Sequence, residues 1–280
     1  MPELPEVETI VRRLAPRLVG RAVDRAEVRR PNVVRGSPKR FERAVLGARI
    51  ASVERRGKFL VFRLADGRVW WSHLRMTGKW RLEKPRRGRE GRSEEPYVRA
   101  VFELDDGRRL SFDDVRTLGE MEVVSATEWA RREAAMGPEP LGPAFTPEDL
   151  RARLATSRRS VKEFLLDQTK VAGLGNIYVV EALWRARISP RRLARNVGPT
   201  RARRLHEAIV EVLREAIGKA GTTLGESWMN YADSEGEPGA FQDFLNVYDR
   251  EGAPCRRCRT PIRRVVQGQR STYYCPRCQR

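Results

Sequence analysis

A chain of 280 residues with 56 Lys and Arg against 37 Asp and Glu carries a formal charge of +19 and an isoelectric point of about 10.8. Its length fits two domains better than one. Its 40% hydrophobic content suffices for packed cores, and no apolar run reaches the ~18 residues of a membrane span. A globular chain this basic is expected to meet a polyanion, above all nucleic acid, although an arginine-inflating genome would leave a similar mark.

The chain opens on Met1-Pro2-Glu3-Leu4-Pro5-Glu6 with no charged-then-apolar leader, which reads as the natural start of the mature protein. With Met1 removed, as a small second residue favours, Pro2 carries a secondary amine whose pKa of roughly 8 leaves a useful share neutral at neutral pH. Its attack on an aldehyde-like carbon gives an iminium that cannot lose its charge and so remains an electron sink. Glu3 and Glu6 lie three apart. A helix starting near Pro5 sets both beside the amine, where a general acid or base is useful. Pro and Glu are also favoured at helix starts for their own reasons, fixed φ and the macrodipole. Val7, Ile10, Val11, Leu14 and Leu18 recur at helical spacing and predict a helix ending by Gly20.

A β region follows. Lys58 to Leu64 and Val69 to Leu74 flank Ala65-Asp66-Gly67, and Val98 to Leu104 and Leu110 to Phe112 flank Asp105-Asp106-Gly107. Both are hairpin signals, and they predict an antiparallel sandwich or barrel to about residue 125. Lys58 falls at a strand start after Gly57, as a solvated edge lysine also would. Met76, in the turn after His73, is either core or an exposed wedge. Asp114 to Gly119 is a loop that sets Arg116 among apolar residues, a type that duplex binders insert at a base step. Pro85 to Pro96 is charged and aperiodic, and is expected to be a surface loop.

Gly137 to Pro143 reads as a linker. Thr146-Pro147-Glu148 then offers an N-cap with proline at the first helical position. Val161 to Leu166 forms one apolar stripe. Gly173-Leu174-Gly175-Asn176 is a tight turn opening a helix through Trp184, and Leu205 to Ile217 marks a long third helix. A glycine turn at a helix start leaves amides free for phosphate, or is a plain turn. Gly221 to Gly239 reads as a flexible loop able to order over a ligand.

All four cysteines fall in the last 26 residues. Cys255 and Cys258, then Cys275 and Cys278, form two C-x-x-C knuckles separated by residues 259 to 274. Four thiolates so arranged make a closed tetrahedral site for one structural Zn2+ in an intracellular protein, not a disulfide framework. Arg263 to Val266 and Ser271 to Tyr274 flank Gln267-Gly268, a hairpin that completes a zinc ribbon with Arg270 near its tip.

Taken together, these motifs resemble the formamidopyrimidine-DNA glycosylase family, bacterial base-excision enzymes for oxidised purines. The likeness runs from Pro2-Glu3-Leu4-Pro5-Glu6-Val7-Glu8-Thr9 through Arg56-Gly57-Lys58-Phe59-Leu60 and Leu141 with its Gly-Pro-Glu-Pro prefix. It continues through Leu165-Leu166-Asp167-Gln168, Gly173 to Tyr178 and Gly221-Thr222-Thr223-Leu224, and closes on Arg270 to Pro276 with Cys278-Gln279. Leu4 favours this branch over the sister endonuclease VIII branch. The resemblance implies an α+β multidomain fold: an N-terminal antiparallel β-sandwich (1–136), a linker (137–148), a helix–two-turn–helix domain (149–240) and a zinc finger (241–280), with DNA in the cleft between. It implies a bacterial, cytoplasmic, nucleoid-associated monomer acting on damaged double-stranded DNA.

The resemblance also implies roles. Pro2 attacks C1′ of a flipped-out nucleotide, Glu3 donates a proton as the base departs, and Glu6 supports the nucleophile. Lys58 acts in β-elimination, and Arg270 holds a phosphate and assists δ-elimination. Asn176 grips the phosphate beside the lesion. Arg158 and Lys162 match basic positions near the DNA. Met76 and Arg116 fill the hole left by the flipped base, with Leu118 as a third wedge residue where the family usually has Phe. Thr117 replaces a usual Arg, Arg75 and Arg259 stand where Gly is common, and the family histidine is missing from Glu95-Pro96-Tyr97. Two alternatives stay in view: a related glycosylase turned towards oxidised pyrimidines, and a non-catalytic protein that binds damaged DNA.

Overall fold

The structure is a computed structural model that describes residues 2–84, 96–223 and 234–280. Residues 85–95 of the expected surface loop and residues 224–233 of the glycine-rich segment lie outside the described residues, as does Met1. The chain forms two compact units, Met1–Ala134 with Lys219–Ala240, and Ala135–Gly218 with Phe241–Arg280. The segment after residue 218 thus groups with the N-terminal part, and the cysteine-bearing end groups with the helices.

In the first unit, helix α1 (Leu4–Leu18) is followed by β1 (Val23–Val28), α2 (Pro38–Val45), β2 (Ile50–Arg56), β3 (Phe59–Leu64) and β4 (Val69–His73). Then come β5 (Gly78–Glu83), β6 (Val98–Leu104), β7 (Arg109–Asp114), β8 (Glu120–Val124) and α3 (Ala126–Ala134). Two antiparallel four-stranded sheets result, in the orders β1-β6-β7-β5 and β2-β3-β4-β8. The expected hairpins are β3–β4 and β6–β7. Period-two alternation turns Phe62 and Trp70 of one sheet towards Trp80 and Phe102 of the other. Phe62 stacks on Trp70 at 4.5 Å, and Trp70 meets Trp80 edge-on at 5.5 Å. All four side chains are fully buried, and Phe41 of α2 closes the end of this core against Trp70 and Phe102. Helix α1 lies on β2 and β3 through its expected apolar face.

In the second unit, α4 (Pro147–Ala155), α5 (Val161–Leu166), α6 (Asn176–Arg185) and α7 (Pro199–Gly218) precede the hairpin β9 (Arg263–Gln267) and β10 (Arg270–Tyr274). The Thr146 hydroxyl accepts the Asp149 N–H as the expected N-cap of α4, and Ser160 with Glu163 forms a capping box on α5. Helix α6 is buried from Ile177 to Trp184 because α5, α7 and β10 all pack on it. Among the described residues, no helix is long and apolar enough to cross a membrane.

Candidate active site

The first turn of α1 is built around Glu6. Its Oε2 accepts the Glu3 N–H at 2.7 Å, the reach-back arm of a capping box, and its Oε1 accepts the Thr222 N–H at 2.8 Å. Pro2 is buried, and Glu3 and Glu6 are only 2% and 1% exposed. A buried carboxylate is tolerable here because it accepts backbone N–H groups at a helix start, where the dipole favours negative charge. Gly221 is required opposite it. Its φ is +84°, and a Cβ there would lie 2.7 Å from Glu6 Oε1.

Lys58 follows the left-handed Gly57 (φ 57°) and is 6% exposed, so it is not the solvated edge lysine that its strand-start position allows. The Arg55 guanidinium donates to Glu8 of α1 at 2.9 Å and to the Gly57 carbonyl at 3.1 Å. That bridge ties the turn carrying Lys58 to the first two turns of α1. Burial pushes the Glu8 carboxyl up, but hydrogen bonds from Arg12 and Arg55 outweigh it and hold the group below its usual range.

Met76, Arg116 and Leu118 lie on two loops of the same unit, after β4 and after β7. All three are exposed, Met76 by 41% and Leu118 by 44%. For Met76 this excludes a core position. Arg75 and Thr117 both have φ 54°, the left-handed conformation that explains why glycine suits position 75. Arg75 Nη2 donates to Glu120 at 2.6 Å.

In the second unit, Asn176 opens α6. Gln168 fixes the turn before it, accepting the Gly173 N–H at 2.9 Å and donating to the Leu174 carbonyl at 2.9 Å. Asn176 Nδ2 donates to the Ser271 carbonyl at 2.9 Å, one residue from Arg270. The start of α6 and the tip of the hairpin are thereby joined, with Arg270 exposed. Both tip residues have positive φ, 54° at Gly268 and 61° at Gln269, as a tight right-twisted hairpin demands. Arg158 is exposed between α4 and α5.

Lys162, the second basic position expected near the DNA, lies under the hairpin that carries Arg270. It is fully buried, and its ammonium donates to Thr272 Oγ1 at 2.6 Å and the Ser271 carbonyl at 3.2 Å. Burial, helped by the Arg270 charge, lowers its pKa to about 8. Lys162 supports the hairpin from beneath.

The four cysteine Sγ atoms lie within 4.8 Å of one another, with Cys258 and Cys275 at 3.5 Å and Cys255 and Cys278 at 4.0 Å. A tetrahedron with Zn–S bonds of about 2.3 Å has edges of about 3.8 Å, so the thiols suit one structural zinc ion and none forms a disulfide. Arg259, after the first knuckle, has φ 64°, which is why glycine is common there. Gln279 clamps the second knuckle, accepting the Cys275 N–H at 2.8 Å and donating to the Ile188 carbonyl at 3.0 Å.

Three supporting residues have no role legible in the sequence: Thr222 on Glu6, Asp114 between the two exposed loops, and His73 on Arg75. Each acts through a contact distant in sequence or through a loop conformation, which periodicity does not report.

Family models match residues 1–121 as a formamidopyrimidine-DNA glycosylase N-terminal domain, 136–227 as the H2TH domain of that glycosylase, and 252–280 as a zinc finger found in FPG and IleRS. The formamidopyrimidine-DNA glycosylase of Geobacillus kaustophilus is 45% identical over 284 residues, spanning 100% of both chains. The Lactococcus lactis Fpg in complex with abasic-site DNA is similar in structure, with a TM-score of 0.89 at 34% identity over 99% of each chain. The wild-type Lactococcus lactis Fpg in complex with N7-benzyl-Fapy-dG DNA gives 0.88 at 34% identity, again over 99% of each.

Proposed function

The chain belongs to the formamidopyrimidine-DNA glycosylase family, and from that premise we propose that it excises oxidised purines such as 8-oxoguanine and formamidopyrimidines from duplex DNA and cuts the strand as an AP lyase. The observation that carries this reading is the first turn of α1, where Glu6 holds the Glu3 backbone beside Pro2. The resemblance to Fpg structures bound to abasic-site and Fapy-type DNA supports the substrate class.

A base inside a duplex is out of reach of an amine, so the lesion nucleotide must be flipped, at a cost of a few kcal/mol. Met76, Arg116 and Leu118 offset that cost by filling the vacated space. Asn176 and Arg270 hold phosphates, and Arg158 adds charge near the backbone. Pro2 nitrogen then bonds to C1′ as the bond from C1′ to the base breaks. The electron pair leaves with the base, which takes up the proton released from the Pro2 nitrogen, and Glu3 supplies a proton to O4′ as the sugar ring opens. The resulting iminium acidifies the C2′ proton, so one covalent intermediate serves both base removal and strand cleavage. Loss of that proton expels the 3′ phosphate in β-elimination, with Lys58 at hand, and a second elimination assisted by Arg270 expels the 5′ phosphate. Zinc takes no chemical part and holds the hairpin that presents Arg270.

In functional terms, residues 1–136 carry the nucleophile and the wedge, 137–148 are a linker, and 149–240 and 241–280 grip DNA, with Arg270 of the last also serving the second elimination. The protein works as a monomer in the nucleoid. Borohydride reduction during turnover tests the reading. Covalent capture on oxidised-purine or abasic DNA, weakened or abolished by Pro2→Gly, is expected, and no capture on either substrate removes it.

A further inference from the structure

The loop carrying Met76 and the loop carrying Arg116 and Leu118 leave different strands, yet they share one carboxylate. Asp114 ends β7 and is fully buried. Its Oδ2 accepts the Gly119 N–H at 2.6 Å, and its Oδ1 accepts the Arg116 N–H at 3.2 Å together with the hydroxyl of Thr77. The Thr77 oxygen in turn accepts the Arg116 N–H at 3.1 Å. A single side chain therefore spans both loops.

Its surroundings leave no slack. A Cβ on Gly119 would lie 2.5 Å from the Phe112 ring and 3.1 Å from Asp114 Oδ2, and a Cβ on Gly78 would lie 2.5 Å from the Leu74 carbonyl. On the other flank, His73 Nδ1 accepts the Arg75 N–H at 3.0 Å. Arg75 and Thr117 hold left-handed φ, which non-glycine residues keep only under constraint. The outcome is that Met76 and Leu118 stand in water, where free loops would fold them away.

We propose that Asp114 is the positioning residue that sets both loops in one rigid conformation, so that Met76, Arg116 and Leu118 enter the duplex together as the lesion nucleotide leaves; this rests on the wedge reading above. A preorganised wedge loses little loop entropy on insertion. Without Asp114 the loops move independently, and the penalty appears only where a base stack must be opened. An abasic site in single-stranded DNA has no base to evict and no stack to refill.

The test compares wild type, Asp114→Ala, Asp114→Asn and Thr77→Val on two substrates. One is a duplex with a formamidopyrimidine lesion and 2-aminopurine beside the opposite base, and the other is a single-stranded oligonucleotide with an abasic site. Asp114→Ala is expected to slow duplex excision by about tenfold or more and to suppress the 2-aminopurine signal, while single-strand cleavage stays within about twofold. Asp114→Asn keeps an acceptor oxygen for Thr77 and Arg116 but sets an NH2 against the Gly119 N–H, and is expected to fall between Asp114→Ala and wild type on the duplex alone. Thr77→Val removes only the bridging hydroxyl and loses about threefold, on the duplex alone. Equal loss on both substrates, or Asp114→Ala duplex excision within about twofold of wild type, overturns the proposal while the glycosylase reading stands. Should Asp114→Ala fail to fold, Thr77→Val decides by the same selectivity. Wild type inactive on both substrates overturns the enzyme reading, and the wedge with it.

Discussion

The Glu6 carboxylate accepts the Thr222 backbone N–H at 2.8 Å across 216 residues of chain, and with its other oxygen it accepts the Glu3 N–H at 2.7 Å. The turn that carries Pro2 and Glu3 and the segment after α7 are thus set by one side chain.

Glu6→Gln keeps the shape but leaves an amide NH2 facing one of the two backbone N–H groups. The loss of a charge-assisted bond and the orphaned donor should cost about 1.5–3 kcal/mol of stability in urea unfolding. Single-turnover excision should slow by about tenfold or more as the Glu3 backbone loses its hold. A variant as stable and as fast as wild type would show that Glu6 does not position the turn.

His73 gives the first unit an acid limit. Burial, with the Arg75 and Lys58 charges added, lowers its pKa to about 3 from 6.5. The unfolded chain takes up this proton from about pH 6.5 downward while the folded chain resists it, so stability is lost as pH falls towards 3. Between about pH 6.5 and 4.5 the contribution should be on the order of 2 kcal/mol. Denaturation midpoints of wild type and His73→Gln over that range should converge as pH falls, and parallel curves would count against a neutral His73.

Lys162 acts at the alkaline end. Its pKa is about 8 in the folded protein against 10.5 when free, so between these values the unfolded chain binds the extra proton. Stability attributable to this group therefore rises with pH through that window. Lys162→Met should remove the rise, seen as a difference between the two proteins' midpoints from pH 8 to 10. An unchanged difference would mean the ammonium is solvated.

Zinc analysis should return one ion per chain, held by Cys255, Cys258, Cys275 and Cys278. Chelation should unfold the hairpin, because Cys255 and Cys275 belong to its small core with Val180, Trp184, Val247, Ile262 and Tyr273. Asn176 and Lys162 then lose their acceptor on Ser271. Duplex affinity should fall by about tenfold or more, while the β-sandwich signal in circular dichroism persists. Affinity unchanged after verified metal loss would contradict the role given to the finger.

The elements legible in the sequence carry their own local signals. The 3.6-residue period of α1, the Asp-Gly turns of β3–β4 and β6–β7, the Thr146-Pro147 cap and the cysteine knuckles all gave correct elements. Strand β1, with Asp24, Arg25 and Glu27 among its six residues, and α2, with only Phe41 and Val45 buried, lack such a signal and form because the sheets cover them. The same divide runs through the site. Pro2, Glu3 and the zinc ligands stand in local motifs. Lys162 sits in an apolar stripe, but its ammonium is held by Ser271 and Thr272 more than a hundred residues away, so its burial is a tertiary fact. Thr222 and Asp114 matter through hydrogen bonds that no spacing encodes.

Locating the covalent adduct tests the central claim most directly. Borohydride-trapped protein–DNA complex, digested and sequenced by mass spectrometry, should carry the deoxyribose remnant on the N-terminal nitrogen of a peptide beginning Pro2-Glu3-Leu4. An adduct on Lys58, or strand cleavage at full rate by a chain that retains Met1, would contradict it.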